Sequence, residues 1–352
     1  MPRRPPRFLI LSGALGACVA GAASDAMLLA DGSAVAEESA VRTEDVRAAV
    51  AKALPVIEKG AAGHLEHRAC FACHSQALPV LALRSVRDRG FAIDAAGFDK
   101  HLDRTHAVLS QWAERNPDRK NFTGGAADTA GYALLALELG DRKPDDTTAA
   151  VVEYLLQRDE SRGHWRASHD DRPPTEASSF TTTAWAVRAI RAFGTPEQRE
   201  RVADRTRAAR EWLLRAGPRD TEDRVFRLWG LKYSEAEAQP IAAAVKDLLD
   251  TQRGDGGWAQ TAEMESDAYA TGSALVALHQ AGGLATGDPA YQRGVRFLLA
   301  DQREDGTWFV QSRSANRFQT YFETGFPYKQ DQWISIAASA WATAALALEL
   351  AP

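Results

Sequence analysis

An all-α protein built from six helical hairpins is the fold that the sequence predicts, and three observations predict it. Alanine is abundant and β-branched runs are rare across the 352 residues, which favours helix over strand. A six-residue pattern, bulky–Ala–apolar–x–small–apolar, recurs six times. Between the copies lie apolar stripes at helical spacing, so each copy has a partner helix.

In chain order, a first stripe of Val46, Val50, Leu54 and Ile57 precedes the copy Gln76 to Leu81. Phe98, Leu102, Leu109 and Trp112 precede Tyr132 to Leu137, and Val151, Tyr154 and Leu155 precede Trp185 to Ile190. Ala209, Trp212 and Leu213 lead to a degenerate copy, Phe226 to Leu231. Ile241, Val245, Leu248 and Leu249 lead to Ser273 to Leu278, and Val295, Leu298 and Leu299 lead to Trp341 to Leu346. The copies start 56, 53, 41, 47 and 68 residues apart, each interval long enough for two helices and their loops. Connectors recur as well: Gln252-Arg253-Gly254-Asp255-Gly256-Gly257-Trp258, Gln302-Arg303-Glu304-Asp305-Gly306-Thr307-Trp308, and a looser Gln157-Arg158 to Trp165. Asp-Gly makes the turn, and the tryptophan is placed to pack across the joint.

The connectors resemble the QW motifs of the squalene–hopene cyclase and terpenoid cyclase superfamily, over roughly residues 43–352. The resemblance implies an (α/α)6 toroid, with the small-residue copies as an inner ring of six helices inside six outer ones. A group of exported bacterial cyclase-like proteins that pair this toroid with an N-terminal Cys-x-x-Cys-His is also similar, through Phe318 to Pro327 and Asp331 to Ser335.

Ahead of the repeats, Arg3, Arg4 and Arg7 precede an apolar run from Phe8 to Ala17, then Ala20-Gly21-Ala22, the layout of a secretory signal over residues 1–22. Leu15-Gly16-Ala17-Cys18 also resembles a lipobox, which makes ordinary cleavage and a lipid anchor at Cys18 alternatives. Residues 23–42 read as a flexible linker and 43–352 as the helical domain. The expectation is a periplasmic or exported protein that meets a membrane only through such an anchor. A composition of 45% hydrophobic and 25% charged residues is that of a globular chain. A net charge of -5 without a basic run argues against a nucleic-acid partner.

Cys70-Phe71-Ala72-Cys73-His74 is the spacing that attaches a c-type haem: two thiols for the vinyl groups and an adjacent imidazole for the iron. A redox disulfide and half of a zinc site are the competing readings of the same residues. The expected cofactor is covalent haem c held by Cys70, Cys73 and His74, with Met264, His64 or His67 as sixth ligand, or an open site. His101 and His106 read as solvated, and His164, His169 and His279 lack haem spacing. By repeat register, Asp128, Thr129, Ser179 to Thr183, Glu222, Asp223, Asp267, Tyr269, Thr271, Ser335 and Ser339 stand with His74 at the N-terminal mouths of the inner helices.

The cyclase resemblance implies an acidic Asp-x-Asp-Asp-Thr-Ala motif whose carboxylic acid protonates an alkene. Asp128-Thr129-Ala130 matches its end, while Gly125, Ala126 and Ala127 depart from it. Asp267 is the alternative acid, and both positions also suit helix-start aspartates that cap backbone N–H groups. Tyr269, Tyr321, Phe322, Trp333 and Trp341 are candidate cation stabilisers or plain core. Protein prenyltransferases share the toroid but need an Asp/Cys/His zinc site, for which no further cysteine remains. The main expectation is thus an exported haem protein with redox or small-molecule chemistry and an electron-transfer partner. The alternative is a cyclase-like isomerase or isoprenoid-binding protein that takes a hydrophobic small molecule.

Overall fold

The computed structural model describes residues 40–168, 172–314 and 324–351. The secretory segment with Cys18, the linker before residue 40, His169, and residues 318–323 with Tyr321 and Phe322 lie outside the described residues.

Twelve α-helices alternate along the described chain. The outer set is α1 (Thr43–His67), α3 (Ala95–Arg115), α5 (Asp146–Gln157), α7 (Arg199–Arg215), α9 (Ala238–Leu249) and α11 (Pro289–Asp301). The inner set is α2 (Leu78–Arg87), α4 (Ala126–Leu139), α6 (Ser179–Phe193), α8 (Thr221–Tyr233), α10 (Ala268–Gln280) and α12 (Gln332–Leu348). Each inner helix packs on the next, and α12 packs on both α2 and α1, so the ring closes. This is the (α/α)6 toroid. Among the described residues no helix is long and apolar enough to cross a membrane.

The inner and outer helices differ because their surroundings do. On α10 and α12 nearly every residue is buried, and on α4 ten of fourteen are, as expected of helices enclosed on all sides. Small residues permit that crowding. A Cβ placed on Gly131 would stand 2.8 Å from Trp185 Cβ, and one on Gly272 would stand 2.6 Å from the Ala342 nitrogen. The outer helices keep one apolar stripe, such as Phe98, Leu102, Leu109 and Trp112 on α3. His101 belongs to that stripe. It is buried rather than solvated, and burial lowers its pKa to about 4. His106 is half-exposed and pairs with Asp145 at 2.6 Å.

The three connectors are one device used three times. The indole N–H groups of Trp165, Trp258 and Trp308 donate to Leu155 O, Leu248 O and Leu298 O, each at the end of the preceding outer helix, at 2.8–2.9 Å. Each tryptophan's backbone N–H donates to a hydroxyl on the following inner helix: Thr183, Thr271 and Ser339 respectively. Those hydroxyls therefore fasten connectors, as Ser335 does for Val310, instead of facing a shared opening as their register suggests. Gly256 and Gly306 have φ of +88°, the left-handed turn that Asp-Gly allows. The Gln302 amide donates to Ala49 O of α1, which links the last outer helix to the first.

Candidate functional site

The segment after α1 carries the two thiols. His64, one turn before the end of α1, holds it through a contact of 3.1 Å between Nε2 and Cys70 O, and the Ala72 N–H donates to Gln76 Oε1 at 2.9 Å. Cys73–Ala77 then forms a π-helical turn, with the Leu78 N–H reaching back to Cys73 O. Pro79, which has no N–H to offer, follows at once. The turn leaves Cys70 exposed and directs Cys73 and His74 inward, and both thiols are free.

His74 is 5% exposed, between the rings of His64 at 6.5 Å and Trp333 at 5.6 Å. Its Nδ1 lies 3.7 Å from Cys73 Sγ, and its Nε2 is buried without a hydrogen-bond partner among the described residues. Burial first, then the Arg172 cation and His64, hold this imidazole neutral, well below its ordinary pKa. Cys73 Sγ is 4.0 Å from Glu176 Oε1, and burial followed by that carboxylate pushes the thiol pKa far up. Arg172 pairs with Glu176 at 3.1 Å and lies over the Trp333 ring at 5.5 Å.

Next to this group stand the acids. Asp128, Thr181, Glu222 and Tyr269 occupy one register position, four residues before the pattern, in four successive inner helices. Asp128 Oδ1 meets the Thr182 hydroxyl, and Oδ2 accepts the Ser168 N–H at 3.2 Å. Burial dominates and raises Asp128 to about 8 despite both bonds. Glu222 accepts from the Thr181 hydroxyl at 2.7 Å and from the Tyr269 hydroxyl at 3.1 Å, and burial raises it to about 8. Asp267 is the N-cap of α10. It accepts the Ala270 N–H at 2.9 Å and the Gln260 amide at 2.9 Å, and burial raises it to about 6.

The structure thus brings together Cys73, His74, His64 and Trp333, and sets Asp128 and Glu222 on either side of α6. Met264 sits in the loop after Trp258, where its N–H bonds Thr261 O, and His67 ends α1 in the open. Glu176 and Arg172 are members of the site that the sequence reading missed. They lie in an irregular stretch outside the repeat register, marked only by an i, i+4 charge pair beside Pro173 and Pro174. Tyr132 was read as pattern alone. Its ring packs on Trp185 at 5.7 Å, and its hydroxyl is fully buried beside that indole. The ring contacts continue from Trp185 to Phe226 at 5.3 Å, so aromatic side chains join α4, α6 and α8.

Comparison with known proteins points the same way for the fold. Residues 225–342 match the family described as squalene-hopene cyclase C-terminal domain. A drimenyl diphosphate synthase from Streptomyces showdoensis is 27% identical over 249 residues, which is 67% of this chain and 41% of the relative. The chain therefore spans less than half the length of that relative. A variant of the type II terpene cyclase MstE from Scytonema, in complex with the product merosterolic acid A, superposes with a TM-score of 0.54 at 16% identity, covering 88% of this chain and 99% of the other. Another MstE variant, in complex with the substrate geranylgeranyl dihydroxybenzoate, gives a TM-score of 0.56 at 15% identity, covering 88% and 99%. The scaffold is that of a terpenoid-cyclase-like toroid.

Proposed function

We propose that this chain binds an isoprenoid-class hydrophobic molecule at the mouth of its inner ring and rearranges it by proton-initiated cyclisation. The observation that carries the reading is a set of buried carboxyl groups, Asp128 and Glu222 at about 8 and Asp267 at about 6, which stay largely or partly protonated near neutrality. Alkene protonation needs a carboxylic acid kept neutral by its surroundings, and burial supplies that here. Tyr132, Trp185 and Phe226 form an aromatic run on the same helices, of the kind that stabilises a developing cation. The likeness to a type II terpene cyclase whose substrate is geranylgeranyl dihydroxybenzoate supports the substrate class. The test is incubation with geranylgeraniol and with squalene, with a search for cyclic products of unchanged mass by gas chromatography–mass spectrometry. The acid form is the active one, so the rate falls as pH rises through about 8. Absence of any conversion sinks this reading.

A second reading rests on one further observation, the buried His74 Nε2 that no group among the described residues satisfies. We infer that Cys70, Cys73 and His74 hold a covalent haem c. An imidazole kept neutral suits an iron ligand, and an exposed thiol in the bend before the π-helical turn with a buried one at its start suits two-point attachment. Bound haem would supply redox or small-molecule chemistry at its iron. His64 is the neighbouring imidazole, ahead of Met264 and His67 as second ligand. Export, with or without a lipid anchor at Cys18, belongs to this reading because bacterial haem attachment follows export. Expression with c-type maturation should give a Soret band and a haem-stained band on a denaturing gel, both lost in Cys70→Ala. A colourless mature protein removes it.

A further inference from the structure

We infer that Glu222, and not Asp128, is the acid that presents its proton to the ligand, with Thr181 and Tyr269 as its positioning residues. The inference rests on the cyclase-like reading above and assigns its proton source.

The two carboxyl groups share a register, but their hydrogen bonds differ in kind. Asp128 Oδ2 accepts a peptide N–H, that of Ser168, which can only donate. Its Oδ1 meets Thr182, and the Thr182 hydroxyl also lies 3.1 Å from Ser178 O. A neutral Asp128 therefore donates to Thr182, and Thr182 donates to the Ser178 carbonyl. The acid proton ends inside the protein, and both oxygens serve to tie α4 to α6 and to the connector between them.

Glu222 meets two hydroxyl groups instead. Thr181 donates to Oε1 and Tyr269 to Oε2, and neither hydroxyl makes another hydrogen bond among the described residues. With both donating, the carboxyl's own proton has no acceptor among the described residues. Two donors also stabilise the carboxylate left after proton loss, which makes Glu222 a stronger donor than burial alone would leave it. The Tyr132 hydroxyl is fully buried beside the Trp185 side chain, and the Glu222 carboxylate is the foremost charge that opposes its ionisation. Glu222 and Tyr269 line a crevice with Pro174, Gln260 and Ser273 that is too tight to hold a water molecule in this form, so a ligand that reaches the carboxyl must widen it. The groups that face Glu222 are Asp220 and Asp223 from its own helix start, Tyr269 from α10, Thr181 from α6 and Tyr132 from α4. The Arg313 guanidinium stands beyond them and donates to the crevice residue Gln260 at 2.8 Å.

In the step itself the Glu222 O–H bond breaks and a C–H bond forms at one alkene carbon. The electron pair of that C–H bond comes from the π bond, and the adjacent carbon becomes the cation. A second alkene then attacks that carbon and closes a ring. Loss of a proton from a neighbouring carbon restores an alkene, so the product is an isomer of the substrate and the carboxyl is recharged by one proton per turnover.

The test uses the full chain and the tertiary amine N,N-dimethyldodecylamine, whose ammonium form mimics the cation on an apolar tail. Infrared difference spectra should show the carbonyl band of a protonated carboxyl disappearing on amine binding, in wild type and in Asp128→Asn alike. The responsive band should be absent from Glu222→Gln, with amine affinity reduced about tenfold or more. Tyr269→Phe should keep the band but move its titration to higher pH, because a donor that favours the carboxylate is gone. A side chain that only packs would not move it. An amine-responsive band that survives Glu222→Gln, or is lost in Asp128→Asn, overturns the inference, and so does a wild-type band that ignores the amine. Should Glu222→Gln fail to fold, the Tyr269→Phe shift decides. If Glu222 responds to the amine while no polyprene is converted, the cyclase-like reading fails and this assignment stands. If conversion persists in Glu222→Gln, the reverse holds.

Discussion

At Asp128 burial outweighs two hydrogen bonds, and the folded carboxyl rises from 3.8 to about 8. A folded-state pKa above the unfolded one means that the native chain binds the extra proton between those values, so stability falls as pH rises through that window. The contribution is complete below about 4 and gone above about 8. Asp128→Asn mimics the neutral form at every pH. Its melting temperature relative to wild type should therefore improve steadily as pH rises across that range, and a constant offset would contradict the assignment. Asp128 itself was legible through Asp128-Thr129-Ala130. Its partners Ser168 and Thr182 were not, because they are 40 and 54 residues away in sequence. His101 shows the opposite failure. It reads as solvated, yet it stands three residues after Phe98 and is buried with that stripe of α3.

The inner helix works as an element because small side chains let neighbours approach to backbone contact. At Gly272 any Cβ meets the Ala342 backbone nitrogen at 2.6 Å, and backbone, unlike a flexible side chain, cannot step aside. Gly272→Ala should cost about 3 kcal/mol in denaturant unfolding. Gly287→Ala, at a glycine with nothing within 4 Å, should stay within about 0.5 kcal/mol. Similar costs at both positions would mean that α10 and α12 are less closely joined than the structure shows. The six-residue pattern announced this element directly, since alternation of one bulky and several small residues is a local property of the chain. The connectors were equally legible. In two of them Gln, Asp-Gly and Trp recur at fixed spacing, the third is looser, and in all three the Trp indole N–H finds a carbonyl ten residues back.

For the whole molecule, closure is the central fact. α12 packs on α10, α2 and α1, so the last inner helix completes the core of both the first repeat and the fifth. Removing residues 332–352 should abolish the cooperative thermal transition instead of merely lowering its midpoint. A truncated chain that still melts in one sharp step would show that the ring is an open array. Helix content, the six hairpins, their connectors and the thiol–thiol–imidazole run were determined by the sequence alone, because periodicity and short-range spacing are properties of neighbours along the chain. Three further features were decided only by the tertiary structure. His74 is buried between His64 and Trp333, Glu176 comes from an unpatterned loop to lie beside Cys73, and two acids of identical register meet different partners. Burial and hydrogen-bond partnership arise between segments far apart in sequence, and it is those surroundings that set whether a carboxyl keeps its proton and where that proton points.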